Sequence, residues 1–191
     1  MSAFEAAVLT LFVYAAFSVV WFTLRTGISP MPSTMPARRA MLELAGTIDS
    51  GTIYELGSGW GGLAIALARR FPNATIIGYE LSVVPYLYSV LIARLLGLSN
   101  LRFRRADFRT ATFEEGGLIF CYLFPGGMEA LSVKLNAEKT GSVKVISNTF
   151  RLPGLEASRT IELDDLYRSR VYLYDGSASG GEIPNRDIVA D

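Results

Sequence analysis

The chain has 191 residues, room for one domain and an appendage but hardly for two full cores. Half of its residues are hydrophobic and 19% are charged, with Lys+Arg and Asp+Glu matched at 18 each, so no net charge points to nucleic acid or to an acidic substrate. A single cysteine, Cys121, excludes an internal disulfide framework and a cysteine-rich zinc site, while the lack of histidine excludes Ser-His-Asp, Cys-His and histidine-metal chemistry; neither a metal nor a nucleic-acid partner is expected.

From Ala6 to Leu24 run 19 residues without a charge, close to the ~20 a helix needs to cross the hydrocarbon of a bilayer. Trp21 and Phe22 stand where aromatic rings favour the interface, and Arg25, Arg38 and Arg39 follow, whereas the N-terminal flank carries only Glu5. The segment lacks the basic start and small-residue cleavage site of a signal peptide, and its apolar residues surround the helix rather than forming the stripe of a core helix. The expectation is a single-pass anchor in the lipid bilayer, with the N-terminus outside and the rest of the chain cytoplasmic.

The stretch 26–50 reads as a linker turning into a helix. Pro30, Pro32 and Pro36 stiffen it, and Ser33 or Thr34 is placed to cap a helix starting near Pro36, with Met41, Leu42 and Leu44 facing inward. Beyond Gly51 short apolar runs alternate with helical spacing. Strands are expected at 52–56, 75–81, 101–106, 118–124 and 142–150, and helices at 61–71, from Ser82 to Gly97, and at 128–137. Such alternation means βαβ units and an α/β, doubly wound, mostly parallel sheet covered on both faces. The helix after Ser82 is unusually apolar, and burial against the sheet is the expectation, with a membrane-facing or dimer-facing surface as the alternative. Thr160–Leu163 and Arg170–Tyr174 are strand-like and too close for a crossover helix, so they are expected to form an antiparallel hairpin closing the sheet. Residues 176–191 lack a hydrophobic pattern and are expected to be a mobile tail.

The chemistry should gather at Tyr54-Glu55-Leu56-Gly57-Ser58-Gly59-Trp60-Gly61-Gly62. Glycines after a strand let the backbone turn sharply against a ligand, and the following helix offers free amides. By itself the loop also satisfies a dinucleotide pattern, and Glu80, at the end of the second strand, suits a ribose in either case. Three features favour a sulfonium methyl donor. Glu55 would repel a pyrophosphate but suit an ammonium. Asp107-Phe108 follows the third strand with an acceptor for an adenine amine and a ring to flank the base. The terminal hairpin leaves no second substrate domain.

Across about Thr52 to Tyr174 the loop and these acids resemble class I, Rossmann-like, S-adenosyl-L-methionine-dependent methyltransferases. The resemblance implies that Glu80 holds the donor's ribose, Asp107 its adenine, and Glu55, Gly57 and Gly59 its methionine part, with Leu56, Ser58, Leu81 and Phe108 beside them. The chain then divides into an anchor (1–25), a linker and first helix (26–50), a methyltransferase domain (51–175) and the tail (176–191). A narrower resemblance rests on the apolar segment, Pro30-x-Pro32-Ser33, Glu55 to Gly59, and Gly78-Tyr79-Glu80-Leu81. It is to membrane-associated protein-lysine methyltransferases such as the ATP synthase c-subunit lysine methyltransferase family, which carry an acid where this chain has Trp60. The acceptor side is expected after the fourth strand, where Tyr122 would orient an amine or hydroxyl and Pro125 offer a rigid carbonyl edge. The expected activity is N-methylation of a lysine in a membrane or membrane-proximal protein. A lipid or hydrophobic small-molecule acceptor and a non-catalytic donor-binding module are the alternatives.

Overall fold

The structure, a computed structural model, describes residues 33–138 and 143–175 together with a few residues between 2 and 13. Most of the expected span at Ala6–Leu24, and all of the expected tail, lie outside the described residues. Among the described residues no helix is long and apolar enough to cross a membrane.

The fold starts with helix α1 (Met35–Ala45). Thr34 is its N-cap, its hydroxyl accepting from the Ala37 amide at 3.3 Å, and a proline stands in the first turn, where no amide hydrogen is needed. Ala37, Ala40, Met41 and Leu44 are buried, and Leu42 is half-buried against the same core. Then follow β1 (Gly51–Leu56), α2 (Gly62–Arg70), β2 (Ala74–Tyr79), α3 (Val83–Leu95), β3 (Leu101–Arg104), a 3-10 turn (Phe108–Thr110), β4 (Leu118–Cys121), α4 (Pro125–Glu138), β5 (Lys144–Asn148), β6 (Arg159–Glu162) and β7 (Arg170–Tyr174).

The seven strands form one sheet in the order β3-β2-β1-β4-β5-β7-β6. β1 to β5 are mutually parallel, β7 runs antiparallel to β5, and β6 antiparallel to β7, so the C-terminal hairpin closes one edge. Alternation along the strands divides the core in two. Ile53, Ile76, Phe120 and Ile146 meet α1 and α2 on one face, while Tyr54, Leu56, Ile119 and Val145 meet Met128 and Leu131 of α4 on the other. Because Glu55 lies between Tyr54 and Leu56, its side chain joins Ile53 on the face of α1 and α2. Strand order reverses between β1 and β4, the switch point at which open α/β sheets bind ligands.

Three expectations are corrected. The third and fourth strands stop at Arg104 and Cys121, short of the expected ends, which frees Tyr122 into a loop. α4 begins at Pro125, not Met128. α3 is not buried through its large side chains: Pro85, Ser89 and Ala93 face the sheet, and Leu87, Tyr88, Leu91 and Leu95 face outward. Small residues let the helix lie close to β3, and the bulky ones are left over.

Candidate active site

A cavity of about 410 Å³ opens at the carboxyl ends of β1 to β4. Glu55, Gly57, Ser58, Gly59, Glu80, Leu81, Asp107, Phe108 and Tyr122 all line it, so residues picked from four strand ends meet in one place. Two do not. Leu56 is fully buried in the α4-side core, because strand alternation turns it away from the cavity. Pro125 is exposed at the start of α4, and its neighbours Phe124, Gly126 and Gly127 form the wall instead.

The glycine loop is held by a carboxylate. Glu80 accepts from the Gly59 amide at 2.8 Å through one oxygen and from the Ser82 amide at 2.7 Å through the other. Ser82 is the N-cap of α3, although its side chain makes no capping bond. Gly59 holds φ of +52°, a left-handed conformation that side chains disfavour. Each Glu80 oxygen keeps a free lone pair towards the cavity, since a carboxylate accepts about four hydrogen bonds.

Glu55 is only 6% exposed. Burial raises its pKa from the ordinary 4.5 to about 8; Glu80 adds to this, while the Ala64 amide and the Arg38 guanidinium oppose it. Its Oε2 has no hydrogen-bond partner, and neither has Ser58 Oγ nor Arg38 Nε, all three atoms being buried. Glu55, Ser58 and Arg38 all line the cavity. Buried polar atoms are seldom left unmade, so an acceptor, a hydroxyl and a cationic donor stand ready for a polar ligand. Arg38 reaches the site from α1 across Gly62, donating to its carbonyl at 3.5 Å. A Cβ at Gly62 would lie 2.6 Å from the guanidinium.

Asp107 caps the 3-10 turn, accepting from the Arg109 amide at 2.9 Å, and its carboxylate is forked by the Arg109 side chain. That hydrogen-bonded guanidinium holds the Asp107 carboxyl below its usual range. On the far wall Tyr122 is half-buried and stacked on Phe150, with ring centroids 6.2 Å apart. Trp60 meets Tyr88 of α3 edge-on at 5.3 Å. Leu123 and Phe124 complete an apolar wall. Cys121 is buried, its thiol pushed up to about 12 by desolvation, and takes no part. Among the described residues no cluster of acids or cysteine could hold a metal ion.

Sequence reasoning missed Arg38 and Arg109 as cavity residues, while Trp60 and Phe124 stood in the expected stretches without a role of their own. Arg38 had been counted as flanking charge of the apolar segment. The available signal was its position in the first turn of the capped helix that precedes β1.

Comparison with known proteins gives a consistent result. Residues 55–159 match the model of a family described as the ANTKMT methyltransferase domain. A curated protein-lysine N-methyltransferase of Saccharolobus islandicus (strain REY15A) is 24% identical over 148 residues, covering 75% of this chain and 91% of that protein. Among solved structures, an RNA methyltransferase from Salinibacter ruber in complex with S-adenosyl-L-homocysteine aligns with a TM-score of 0.68 at 26% identity, over 80% of this chain and 98% of its own. An S-adenosylmethionine-dependent methyltransferase from Aquifex aeolicus, at 14% identity, shares the fold with a TM-score of 0.55 over 73% of this chain and 88% of its own.

Proposed function

Since this chain belongs to the ANTKMT methyltransferase domain family, whose model spans more than half of it, and is an S-adenosyl-L-methionine-dependent methyltransferase, we propose that it methylates a lysine of a membrane or membrane-proximal protein. The observation that carries the donor site is the convergence of Glu55, Glu80 and Asp107 on one cavity beside unpartnered Glu55 Oε2 and Arg38 Nε. In this reading Glu55 takes the donor's ammonium and Arg38 its carboxylate. Glu80 accepts from the ribose hydroxyls while it holds Gly59 and Ser82. Asp107, kept ionised by Arg109, accepts from the adenine amine, and Phe108 flanks the base. Bound there, the donor supplies a methyl carbon on a sulfonium, which an amine attacks in line as the carbon–sulfur bond breaks and sulfur keeps the electron pair.

The chain's own part is alignment and exclusion of water, and alignment alone is worth ~7–11 kcal/mol of barrier. Trp60, Leu123 and Phe124 give the cavity an apolar wall that suits the aliphatic stem of a lysine. Desolvation there favours loss of the ammonium proton to water before attack, so no histidine is needed. The Tyr122 hydroxyl orients the nitrogen. Support for a protein lysine comes from the Saccharolobus relative. Support for a membrane setting comes from the uncharged segment ending at Leu24, nine residues before Ser33 of the cavity wall.

Incubating membranes with the full chain and methyl-labelled donor tests the acceptor. Label should reach N-methyllysine in protein hydrolysates. Label confined to the lipid extract would overturn the lysine assignment and favour a hydrophobic small-molecule acceptor.

A further inference from the structure

Among the described residues two charged side chains are buried, Glu55 and Lys134. Glu55 belongs to the donor cavity, whereas Lys134 does not line it. Lys134 stands on α4, one helical turn beyond Ala130, which does line the cavity. Its side chain is only 7% exposed. The ammonium donates to the Arg109 carbonyl at 3.2 Å, pairs with the Glu138 carboxylate one turn on, and lies 5.1 Å from the centre of the Phe113 ring. An ammonium has three hydrogens to place, and a carbonyl, a carboxylate and an aromatic face surround this one. Burying a charge is costly, and an apolar side chain of similar volume often holds two elements together as well or better. What methionine or leucine could not supply here is a donor to the Arg109 carbonyl.

That carbonyl belongs to the 3-10 turn Phe108–Thr110, which with its cap Asp107 carries the adenine end of the donor site. The turn is short. The Thr110 amide and hydroxyl donate to the Asp107 carbonyl at 3.1 and 2.9 Å, and the Ala111 amide donates to the Phe108 carbonyl at 3.0 Å. These bonds shape the turn without fixing it to the rest of the fold, and the Arg109 side chain, 64% exposed, reaches into solvent. The Lys134 ammonium supplies an attachment, since through Arg109 and Phe113 it ties this segment to the helix whose first turns line the cavity. We propose that Lys134 is a positioning residue for the donor's adenine: it acts through the turn, setting Asp107 and Phe108 at the distance the base requires. The inference rests on the assignment of Asp107 and Phe108 to adenine and goes beyond it in naming what holds them. Lys134 reaches neither Glu55, Arg38 and Glu80, which take the methionine and ribose parts, nor Tyr122 on the acceptor side. Its loss should therefore fall on recognition of the base and spare the transfer step.

The test titrates the full chain, by calorimetry, with S-adenosylhomocysteine and with its analogue in which unsubstituted purine replaces adenine, so that the 6-amine alone is missing. The unaltered chain should prefer the adenine ligand by about tenfold or more, the scale of a hydrogen bond to a charged group. Lys134→Met should bind S-adenosylhomocysteine about tenfold more weakly and bring the preference to within about threefold. Methylation of membranes at saturating S-adenosylmethionine should stay within about twofold of the unaltered rate. A merely structural lysine would weaken both ligands alike and leave their ratio intact, and that result in a folded Lys134→Met overturns the proposal. Should the methionine variant fail to fold, Lys134→Gln, one bond shorter and so out of reach of the Arg109 carbonyl, should show the same narrowed preference, and an unchanged ratio there overturns the proposal equally. Asp107→Ala separates the two readings. A preference that survives in Asp107→Ala overturns the adenine assignment and this inference with it, whereas a preference lost in Asp107→Ala but kept in Lys134→Met overturns this inference alone.

Discussion

Replacing Glu55 by glutamine gives the sharpest view of how the site works. With its pKa at about 8, the carboxyl is mostly protonated at pH 7 in the free protein. Holding an ammonium requires the ionised form, and one unit between pH 7 and that pKa costs about 1.4 kcal/mol, a tenfold loss of affinity. Donor affinity should therefore rise close to tenfold per pH unit from 6 to 8 and level off above about 8. Binding at pH 7 should release about 0.9 proton, read from calorimetric enthalpies in buffers of different ionisation heat. Glu55→Gln should abolish both effects and weaken binding at pH 8 by about 1.5–3 kcal/mol, the scale of a hydrogen bond to a charged group. The same substitution should stabilise the free protein. A carboxyl whose folded pKa exceeds its unfolded one contributes stability in full below 4.5, and this is lost as pH rises from 4.5 towards 8. The loss is on the order of 3 kcal/mol at pH 7, so the glutamine variant should melt higher than wild type at pH 8 and alike at pH 4. Proton release that persists in Glu55→Gln would refute the reasoning.

Other substitutions read other parts of the site. Glu80→Ala should lower donor affinity by about 1.5–3 kcal/mol and free the Gly59 amide, visible as faster hydrogen exchange there in a protein with an unchanged circular dichroism spectrum. Gly62→Ala should displace the Arg38 guanidinium, which a Cβ would approach to 2.6 Å, and so weaken donor binding about as much as Arg38→Met; titration with S-adenosylhomocysteine compares the two. Tyr122→Phe should leave the donor's dissociation constant unchanged and cut kcat by roughly 100-fold, the scale of a misoriented nucleophile, in steady-state assays.

Much of this was legible in the chain, for identifiable reasons. The parallel order of β1 to β5 followed from strand spacings that only helices can bridge, and the β6–β7 hairpin from the six residues, 164–169, left between the expected strands. Glu55, Glu80 and Asp107 were found because each ends or follows a strand, and strand ends of such a sheet converge. What escaped notice depended on tertiary contact. The start of α4 was hidden by Gly126 and Gly127, poor helix formers, yet side chains there would strike Phe124 and Leu123 at 2.7 and 3.1 Å. Glycine lets that helix begin tight against the end of β4. The outward leucines of α3 read as core because hydrophobicity alone does not say which face a sheet will take. Arg38 was hidden because Glu55, with which it shares the cavity, lies 17 residues on, beyond a turn and into the first strand.

The central claim, that three carboxylates from neighbouring strand ends enclose one adenosyl donor, is most directly tested by a crystal structure of the full chain with S-adenosylhomocysteine. The account predicts the ligand's amino group on Glu55, its ribose hydroxyls on Glu80 and its adenine amine on Asp107, with the sulfur turned towards Tyr122. A ligand bound elsewhere, or one in this cavity that leaves Glu55 and Glu80 without contact, would contradict it.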